Sequence, residues 1–337
     1  MPLLFSGLKV VAALAGFGAA YQYIDTKLDR QTHPPIGTLV DIGGYKLHLV
    51  DQGTGGPTVI LDAAMGCSSI DWALVQPEIA PFARVISYDR AGYDWSDKSP
   101  LPRTSATMAI ELHTLLSTAH IPGPYILVGH SMGGINMRWY AHFYPNEVAG
   151  LILVESPHEE QIENLPLPSS LLMHSLRVST YLGLPRLFFK HILPTQEFIK
   201  AYPPEIRSIS LAQKCQTKSI ETFIKECMSI AKSYTQLHHT EHSLGALPLT
   251  VITAKNPLTT PVIGGHCAQK SLDFVNKERE RLQKQLVTLS TRGTQIIAEH
   301  SGHQVPQDQP EIIIKAIRDM IAEINNKAKE AIQELET

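Results

Sequence analysis

The order of short apolar runs and longer periodic stretches is the feature that most restricts how this chain of 337 residues folds. Runs of four or five apolar residues, bounded by glycine, proline or aspartate, alternate with stretches in which apolar residues recur at helical spacing. This alternation predicts β-α-β units and a mostly parallel sheet flanked by helices. Beyond an opening hairpin, the predicted strands cover 58–62, 84–88, 125–128, 151–154, 249–253 and 294–298, and the predicted helices cover 72–83, 105–119, 132–143 and 271–289.

Two segments depart from the alternation. Residues 37–42 and 45–51 are joined by Gly43-Gly44, which predicts a β-hairpin and brings the sheet to eight strands. Residues 157–246 contain several helix-like pieces rich in leucine, isoleucine and proline, and they predict a helical insertion. We therefore expect an N-terminal helix with a linker at 1–35, an α/β core at 36–156 and 247–323, a helical cap at 157–246 and a polar tail at 324–337.

The N-terminal segment is unlike the rest of the chain. Residues 10–24 carry no charge, and Lys9 is the only charged residue between positions 2 and 24. Because a helix needs about 20 apolar residues to cross a bilayer core, this segment predicts a single membrane-spanning anchor. Its orientation is undetermined, since Lys9 on one side is balanced by Lys27 and Arg30 on the other. A cleaved export signal and a soluble apolar helix are the alternatives.

The composition excludes several classes of partner. The net charge is −3 and no part of the chain is strongly basic, so we expect no nucleic-acid partner. The four cysteines form no C-x-x-C pair, and we expect neither a metal site nor a cofactor. His238, His239 and His242 lie in the insertion without an H-E-x-x-H pattern, which favours a solvated polar surface over zinc binding.

A serine lies at a sharp strand-to-helix junction. The apolar run at 125–128 leads directly into Gly129-His130-Ser131-Met132-Gly133, and a helical stretch follows. A tight turn of this kind presents the Ser131 hydroxyl at the carboxyl end of the sheet, above the start of a helix, with the glycines leaving room for the backbone. Because a serine hydroxyl is a weak nucleophile near neutral pH, it requires a neighbouring base.

His303 is the candidate base. It lies just past the last predicted strand, in the sequence Ser301-Gly302-His303, where a loop can carry it over the serine. His300 is the rival, but it lies at the strand end, where we expect it to be packed or exposed.

These motifs resemble the α/β-hydrolase family over residues about 36–323. The Gly-x-Ser-x-Gly turn carries most of the resemblance, and the Ser-Gly-His loop and the Asp89-Arg90-Ala91-Gly92 stretch support it. The resemblance implies the α/β-hydrolase fold and a serine hydrolase of the esterase type, with the order serine, acid, histidine along the chain. It is nearest to membrane-anchored bacterial members that open with an apolar helix and a Gly-Gly hairpin.

The position of the candidate acid in the sequence departs from the usual family pattern. Most members carry it after the seventh strand, yet the segment 254–272 contains no aspartate or glutamate, and Asn256 is neutral. Glu155 ends the sixth strand, where some members, including certain dehalogenases, carry the acid, so we assign it the orienting role. The alternatives are a Ser-His dyad, with Glu155 only anchoring its loop, or Asp273 reaching in from the next helix.

The resemblance also implies an oxyanion hole and a reaction. One backbone N–H comes from Met132, and the second comes from Ala64 or Met65 in the loop after the third strand. We expect cleavage of a carboxylic ester or related acyl bond of a small substrate through an acyl-enzyme. Apolar residues of the cap, including 171–173 and 187–189, suggest an apolar acyl pocket. A non-catalytic ligand-binding homologue and an acyltransferase or perhydrolase are the alternatives.

Overall fold

An eight-stranded sheet forms the centre of the molecule. The computed structural model describes residues 2–164, 169–240, 243–256 and 269–335. The strands follow the order β1-β2-β4-β3-β5-β6-β7-β8, and only β2 runs antiparallel to its neighbours. The predicted fold is therefore confirmed. The strands are β1 (Thr38–Asp41), β2 (Lys46–Gln52), β3 (Thr58–Asp62), β4 (Val85–Tyr88), β5 (Tyr125–His130), β6 (Val148–Val154), β7 (Leu249–Ala254) and β8 (Gly293–Ala298).

Helices cover both faces of the sheet and form the insertion. They are α1 (Pro2–Thr32), α2 (Gln76–Ile79), α3 (Ser105–Thr118), α4 (Met132–Phe143), α5 (Ser170–Tyr181), α6 (Leu184–Ile192), α7 (Glu197–Lys200), α8 (Pro204–Lys214), α9 (Thr217–His238), α10 (Gln269–Val287), α11 (Val305–Asp308) and α12 (Pro310–Leu335). Short 3₁₀ helices lie at Ser69–Trp72, Pro145–Glu147, Glu159–Asn164 and Leu193–Thr195.

The alternation of side chains along the central strand divides the core into two layers. On β5, Tyr125 and Leu127 pack on the side covered by α3 and α4, whereas Ile126 and Val128 pack on the side covered by α2 and α12. Successive strand residues point to opposite faces, so a fully apolar strand requires a helical layer on each side. The uninterrupted apolar run in β5 thus holds the strand end, and the turn that follows it, at the middle of the sheet.

The predicted helix at 72–83 is replaced by two shorter elements. Residues Ser69–Trp72 form a 3₁₀ helix, and α2 covers Gln76–Ile79. Pro77 accounts for the break, because proline has no N–H to continue a helix and is tolerated in a first turn.

Only helices occur between β6 and β7 in the described residues, and they cover one end of the core. The contact is close: a Cβ placed on Gly92, in the loop after β4, would lie 1.9 Å from Thr222 Oγ1 of α9. The polar tail continues α12 as far as Leu335. The boundaries at 157 and 246, and at 324, stay predictions.

The predicted membrane anchor is wrong. No helix in the described ranges 2–164, 169–240, 243–256 and 269–335 has the length and apolar character needed to span a bilayer. The charge-free part of α1 includes glycine, alanine and Gln22, and the helix ends in a charged half that packs against the cap. The Gln22 amide is buried and donates to the Cys215 carbonyl oxygen at 3.0 Å, and Arg186 of α6 pairs with Asp29. The count of uncharged residues therefore overestimated the apolar character of α1.

Candidate active site

Ser131 lies at the turn between β5 and α4. Its backbone has φ 53° and ψ −122°, a conformation that non-glycine residues rarely adopt. The glycines on either side permit the turn: a Cβ on Gly129 would lie 2.4 Å from Gly134 N, and one on Gly133 would lie 2.3 Å from Asp62 O. The strained turn leaves the Ser131 side chain partly exposed above the sheet.

His303 is brought to the serine by the loop between β8 and α11. Its Nε2 lies 3.1 Å from Ser131 Oγ, within hydrogen-bond distance, although the two residues are 172 positions apart. The rival, His300, is exposed, and its backbone N–H donates to Gln309 Oε1. The structure therefore places one of the two candidate histidines, His303, where it can receive the serine proton.

His130, the residue before the serine, forms a hydrogen bond with the loop that carries His303. Its Nε2 lies 2.7 Å from the His303 carbonyl oxygen. Burial lowers the pKa of His130 to about 3, and the neighbouring His303 ring acts in the same direction. Because the carbonyl oxygen accepts, the neutral His130 ring donates this hydrogen bond from Nε2–H. The sequence contains the residue within the Gly-x-Ser-x-Gly motif, but the motif gives no role for it.

Glu155 faces the other nitrogen of the base. It follows β6 with φ 45°, and its carboxylate oxygen Oε2 lies 3.5 Å from His303 Nδ1. That distance is at the long end of the hydrogen-bond range, and such bonds tighten when substrate binds. The side chain is buried, with 2% of its surface exposed. Ser131, His303 and Glu155 are therefore in the order that transfers a proton away from a hydroxyl.

The second carboxylate oxygen, Glu155 Oε1, is held by two donors that the sequence did not suggest. The backbone N–H of Ala254 donates to it at 2.8 Å, and Arg279 Nη1 donates at 2.6 Å. The proposed rivals are placed differently. Asn256 is exposed and its N–H donates to the Ser301 carbonyl oxygen, whereas the Asp273 side chain and residues 257–268 lie outside the described part of the chain.

The three candidate oxyanion donors lie in segments next to the turn that carries Ser131. Met132 begins α4, where a first-turn N–H has no acceptor within its own helix. Ala64 and Met65 follow β3, whose last residue packs against Gly133. In the part of the chain that the structure describes, no acceptor binds the backbone N–H of Ala64, Met65 or Met132. These three N–H groups therefore stay the candidate oxyanion donors.

Arg90 fixes the loop that carries two of those donors. Its guanidinium donates to the Ala63 carbonyl oxygen at 2.7 Å and to the Ala64 carbonyl oxygen at 2.8 Å. It also forms ion pairs with Asp62 of β3 and with Glu226 of the cap helix α9. The Asp-Arg-x-Gly stretch contains Arg90, but no local pattern indicates that its partner lies 136 residues further along the chain.

Apolar cap residues pack near the loop after β3 that carries Ala64 and Met65, which we call the oxyanion loop. Met173 of α5 and three residues of α9 form a buried cluster, against which Met65 and Phe189 also pack. The other predicted pocket residues point elsewhere, since 171, 172, 187 and 188 are exposed. The α9 members are Ile220, Ile224 and Cys227. The expected apolar surface thus comes mainly from α9, where the sequence analysis did not place it.

The histidine cluster of the insertion is exposed where the structure describes it. His238 and His239 are exposed at the end of α9, and His242 lies outside the described residues. No group of three side chains able to hold a metal ion occurs among the residues that the structure places.

Comparison with known proteins supports the fold. A family model for the alpha/beta hydrolase fold matches residues 56–174. A *Thermogutta terrifontis* esterase has a similar structure, with a TM-score of 0.60 and 20% identity over 85% of this chain and 98% of the esterase. Together with the sheet order, these findings show that the chain has the α/β-hydrolase fold.

Two fungal proteins are similar in sequence. An AB hydrolase superfamily protein of *Gibberella zeae* is 27% identical over 79% of this chain and 86% of its own length. A *Hormonema carpetanum* protein named as a probable transporter is 25% identical over 86% of this chain. The match covers 43% of that fungal protein, so this chain corresponds to less than half of it.

Proposed function

We propose that the chain is a serine hydrolase that cleaves a carboxylic ester, or a related acyl bond, of a small apolar substrate. One observation carries the proposal: the Ser131 hydroxyl, on a strained turn, lies 3.1 Å from His303 Nε2. The carboxylate of Glu155 on the other side of the ring supports it. A serine at this turn favours acyl chemistry over the dehalogenase and epoxide hydrolase reactions, which use aspartate there.

The reaction proceeds through an acyl-enzyme. His303 Nε2 takes the proton from Ser131 Oγ as that oxygen attacks the acyl carbon, and Glu155 stabilises the imidazolium that forms. The backbone N–H groups of Met132 and of Ala64 or Met65 bind the oxyanion; one such donor contributes about 3 to 4 kcal/mol to the transition state. His303 then protonates the leaving oxygen, and water, activated by the same histidine, releases the acid product.

The apolar residues of the predicted cap support an apolar acyl group. Met173 and the α9 residues Ile220 and Ile224 present carbon atoms beside Met65 of the oxyanion loop. Burying a chain of methylene groups there contributes about 0.8 kcal/mol per group. We expect kcat/KM on p-nitrophenyl esters to rise from the acetate to medium-length acyl chains. A flat series from acetyl to decanoyl would contradict an apolar acyl pocket.

The experiment that tests the function is covalent labelling with a fluorophosphonate, which reacts quickly only with an activated serine. The wild type should incorporate one probe, and peptide mapping should place it on Ser131. Ser131→Ala should not label, and His303→Ala and Glu155→Gln should label more slowly by about 10³-fold or more and about 10²-fold, respectively. Ser117→Ala, at an exposed serine of α3, is the matched control and should label like the wild type.

The alternative functions give other results. A folded wild type that does not label would indicate a ligand-binding homologue without catalysis, and the hydrolase proposal would then be wrong. An acyltransferase or perhydrolase would label as a hydrolase does, because it uses the same serine. Product analysis with an alcohol or hydrogen peroxide added as a competing acceptor separates these from hydrolysis, in which free acid dominates.

A further inference from the structure

Arg279 connects the proposed triad acid to the sheet. It lies on α10, its side chain is buried, and its Nη1 donates to Glu155 Oε1 at 2.6 Å. Its Nη2 donates to the Ala254 carbonyl oxygen at 3.1 Å. The Ala254 N–H meanwhile donates to the same Glu155 oxygen. Arg279 and the last residue of β7 therefore form a closed set of hydrogen bonds around one oxygen of the acid.

We propose that Arg279 is a positioning residue, which acts through Glu155 to orient His303. The assignment rests on the hydrolase function proposed above. With Oε1 held by Arg279 and Ala254, the carboxylate can turn only its other oxygen toward His303 Nδ1. The orientation of the imidazole, and so of its Nε2 toward Ser131, depends on that constraint.

The position of Glu155 explains why a cation is needed there. Glu155 follows β6 and Ala254 ends β7, and these strands are adjacent in the sheet, with Val154 opposite Ile252. The backbone of Glu155 has a positive φ, a conformation that persists only where the surroundings hold it. A buried carboxylate also requires a charged or hydrogen-bonding partner. Arg279 supplies the charge without competing for the oxygen that faces His303.

Arginine suits this position in a way that lysine does not. The planar guanidinium presents two N–H groups in a fixed geometry, and here one binds the acid and the other binds the backbone of β7. A lysine ammonium keeps the charge but has no rigid fork to reach both acceptors. The two substitutions therefore separate charge from geometry.

The chain offers a matched pair for comparison. Arg138 of α4 and Glu159 form a buried ion pair of the same kind, with a shortest distance of 2.6 Å. Among the described residues, no hydrogen bond or ion pair joins Glu159 to Ser131 or His303. Breaking either pair leaves a buried carboxylate without its cation, so both should lower the stability of the fold. Only the loss of Arg279 should act on the chemical step.

The experiment measures kcat and KM on a p-nitrophenyl ester, and the rate of fluorophosphonate labelling, beside the thermal midpoint. Arg279→Met should lower kcat and the labelling rate about 30- to 100-fold with little change in KM, because displacement of a catalytic group by about 1 Å has effects of this size. Arg279→Lys should recover part of that loss. Arg138→Met should lower the thermal midpoint and leave kcat within about twofold of the wild type.

A double substitution tests whether Arg279 acts through the acid. In Glu155→Gln, the added Arg279→Met change should slow labelling by less than about threefold, since the group it positions is already gone. If Arg279→Met fails to fold, Arg279→Lys, made alone and in Glu155→Gln, provides the same comparison. The assignment is wrong if the losses caused by the two substitutions multiply, or if Arg279→Met has a normal kcat, provided that the wild type is active. A folded wild type that neither labels nor hydrolyses would overturn the proposed function itself.

Discussion

His130 Nε2 lies 2.7 Å from the backbone carbonyl oxygen of His303, so the residue before the candidate nucleophile binds the loop that carries the candidate base. The His130 ring is buried, and burial lowers its pKa to about 3. It is therefore neutral near neutral pH, and its N–H is available to the His303 carbonyl oxygen.

The low pKa of His130 predicts a loss of stability in acid. Between pH 6.5 and 3, an unfolded histidine binds a proton that the folded protein excludes, so the free energy of unfolding falls as the pH is lowered. The contribution of this group should decrease by about 3 kcal/mol between pH 7 and pH 4. Denaturant titrations at the two pH values measure it.

His130→Gln provides the comparison for that measurement. Glutamine has an N–H donor for the His303 carbonyl oxygen and does not titrate, so the difference in stability between variant and wild type should change by about 3 kcal/mol across the range. Other titrating groups act equally on both proteins and cancel. Parallel stability curves for the two proteins would show that His130 is not the group responsible.

The pairing of Glu226 with Arg90 predicts that the cap influences the oxyanion loop. Glu226 of α9 accepts hydrogen bonds from Arg90 and, at 2.8 Å, from Tyr93, and Arg90 in turn holds the Ala63 and Ala64 carbonyl oxygens. Glu226→Gln removes one of the two carboxylate charges that hold the guanidinium, and Asp62 supplies the other. We expect kcat/KM to fall about tenfold, and the free energy of unfolding to fall by about 2 to 4 kcal/mol.

Glu221→Gln is the control for that substitution. Glu221 lies on the same helix and pairs with Lys98 nearer the surface, where ion pairs contribute about 0 to 1 kcal/mol. It should change both measurements only slightly. If Glu226→Gln lowered stability while kcat/KM on a p-nitrophenyl ester stayed at the wild-type value, the link to the oxyanion loop would be refuted.

The residues that sequence analysis placed in the site are those with local signals. Ser131 stands in a turn whose glycines are required by close backbone contacts, and His303 follows a strand in a short loop. Glu155 could be proposed because it ends the sixth strand, where some members of the resembled family carry the acid. Their proximity in the structure agrees with the roles proposed for them, and labelling will test those roles.

Arg279 and Glu226 could not be found in this way. Arg279 lies 124 residues from Glu155, and Glu226 lies 136 residues from Arg90, in helices whose other charged residues are mostly exposed. A charged residue that faces inward has the same local sequence pattern as one that faces solvent. Only the packing of α9 and α10 on the core decides between the two.

For the N-terminal helix, the local sequence signal was strong, but the membrane anchor predicted from it was wrong. A lack of charge does not make a helix apolar enough to span a bilayer, because glycine, alanine and glutamine are uncharged too. The buried Gln22 amide and the Arg186–Asp29 pair require a protein partner. The backbone of Leu182 lies close to Gly18, and this contact leads to a prediction that can be tested by substitution.

Gly18 and Gly16 of α1 should respond in opposite ways to alanine. A Cβ on Gly18 would lie 2.4 Å from the carbonyl oxygen of Leu182, which follows α5, whereas one on Gly16 would meet nothing within 4 Å. Gly16→Ala should raise the free energy of unfolding by about 0.5 to 1 kcal/mol through helix propensity. Gly18→Ala receives the same gain but forces α1 away from the cap, at a cost of about 1 to 3 kcal/mol. Denaturant unfolding of the full-length variants measures the difference, and equal stabilisation by both would show that α1 does not pack on the cap in solution.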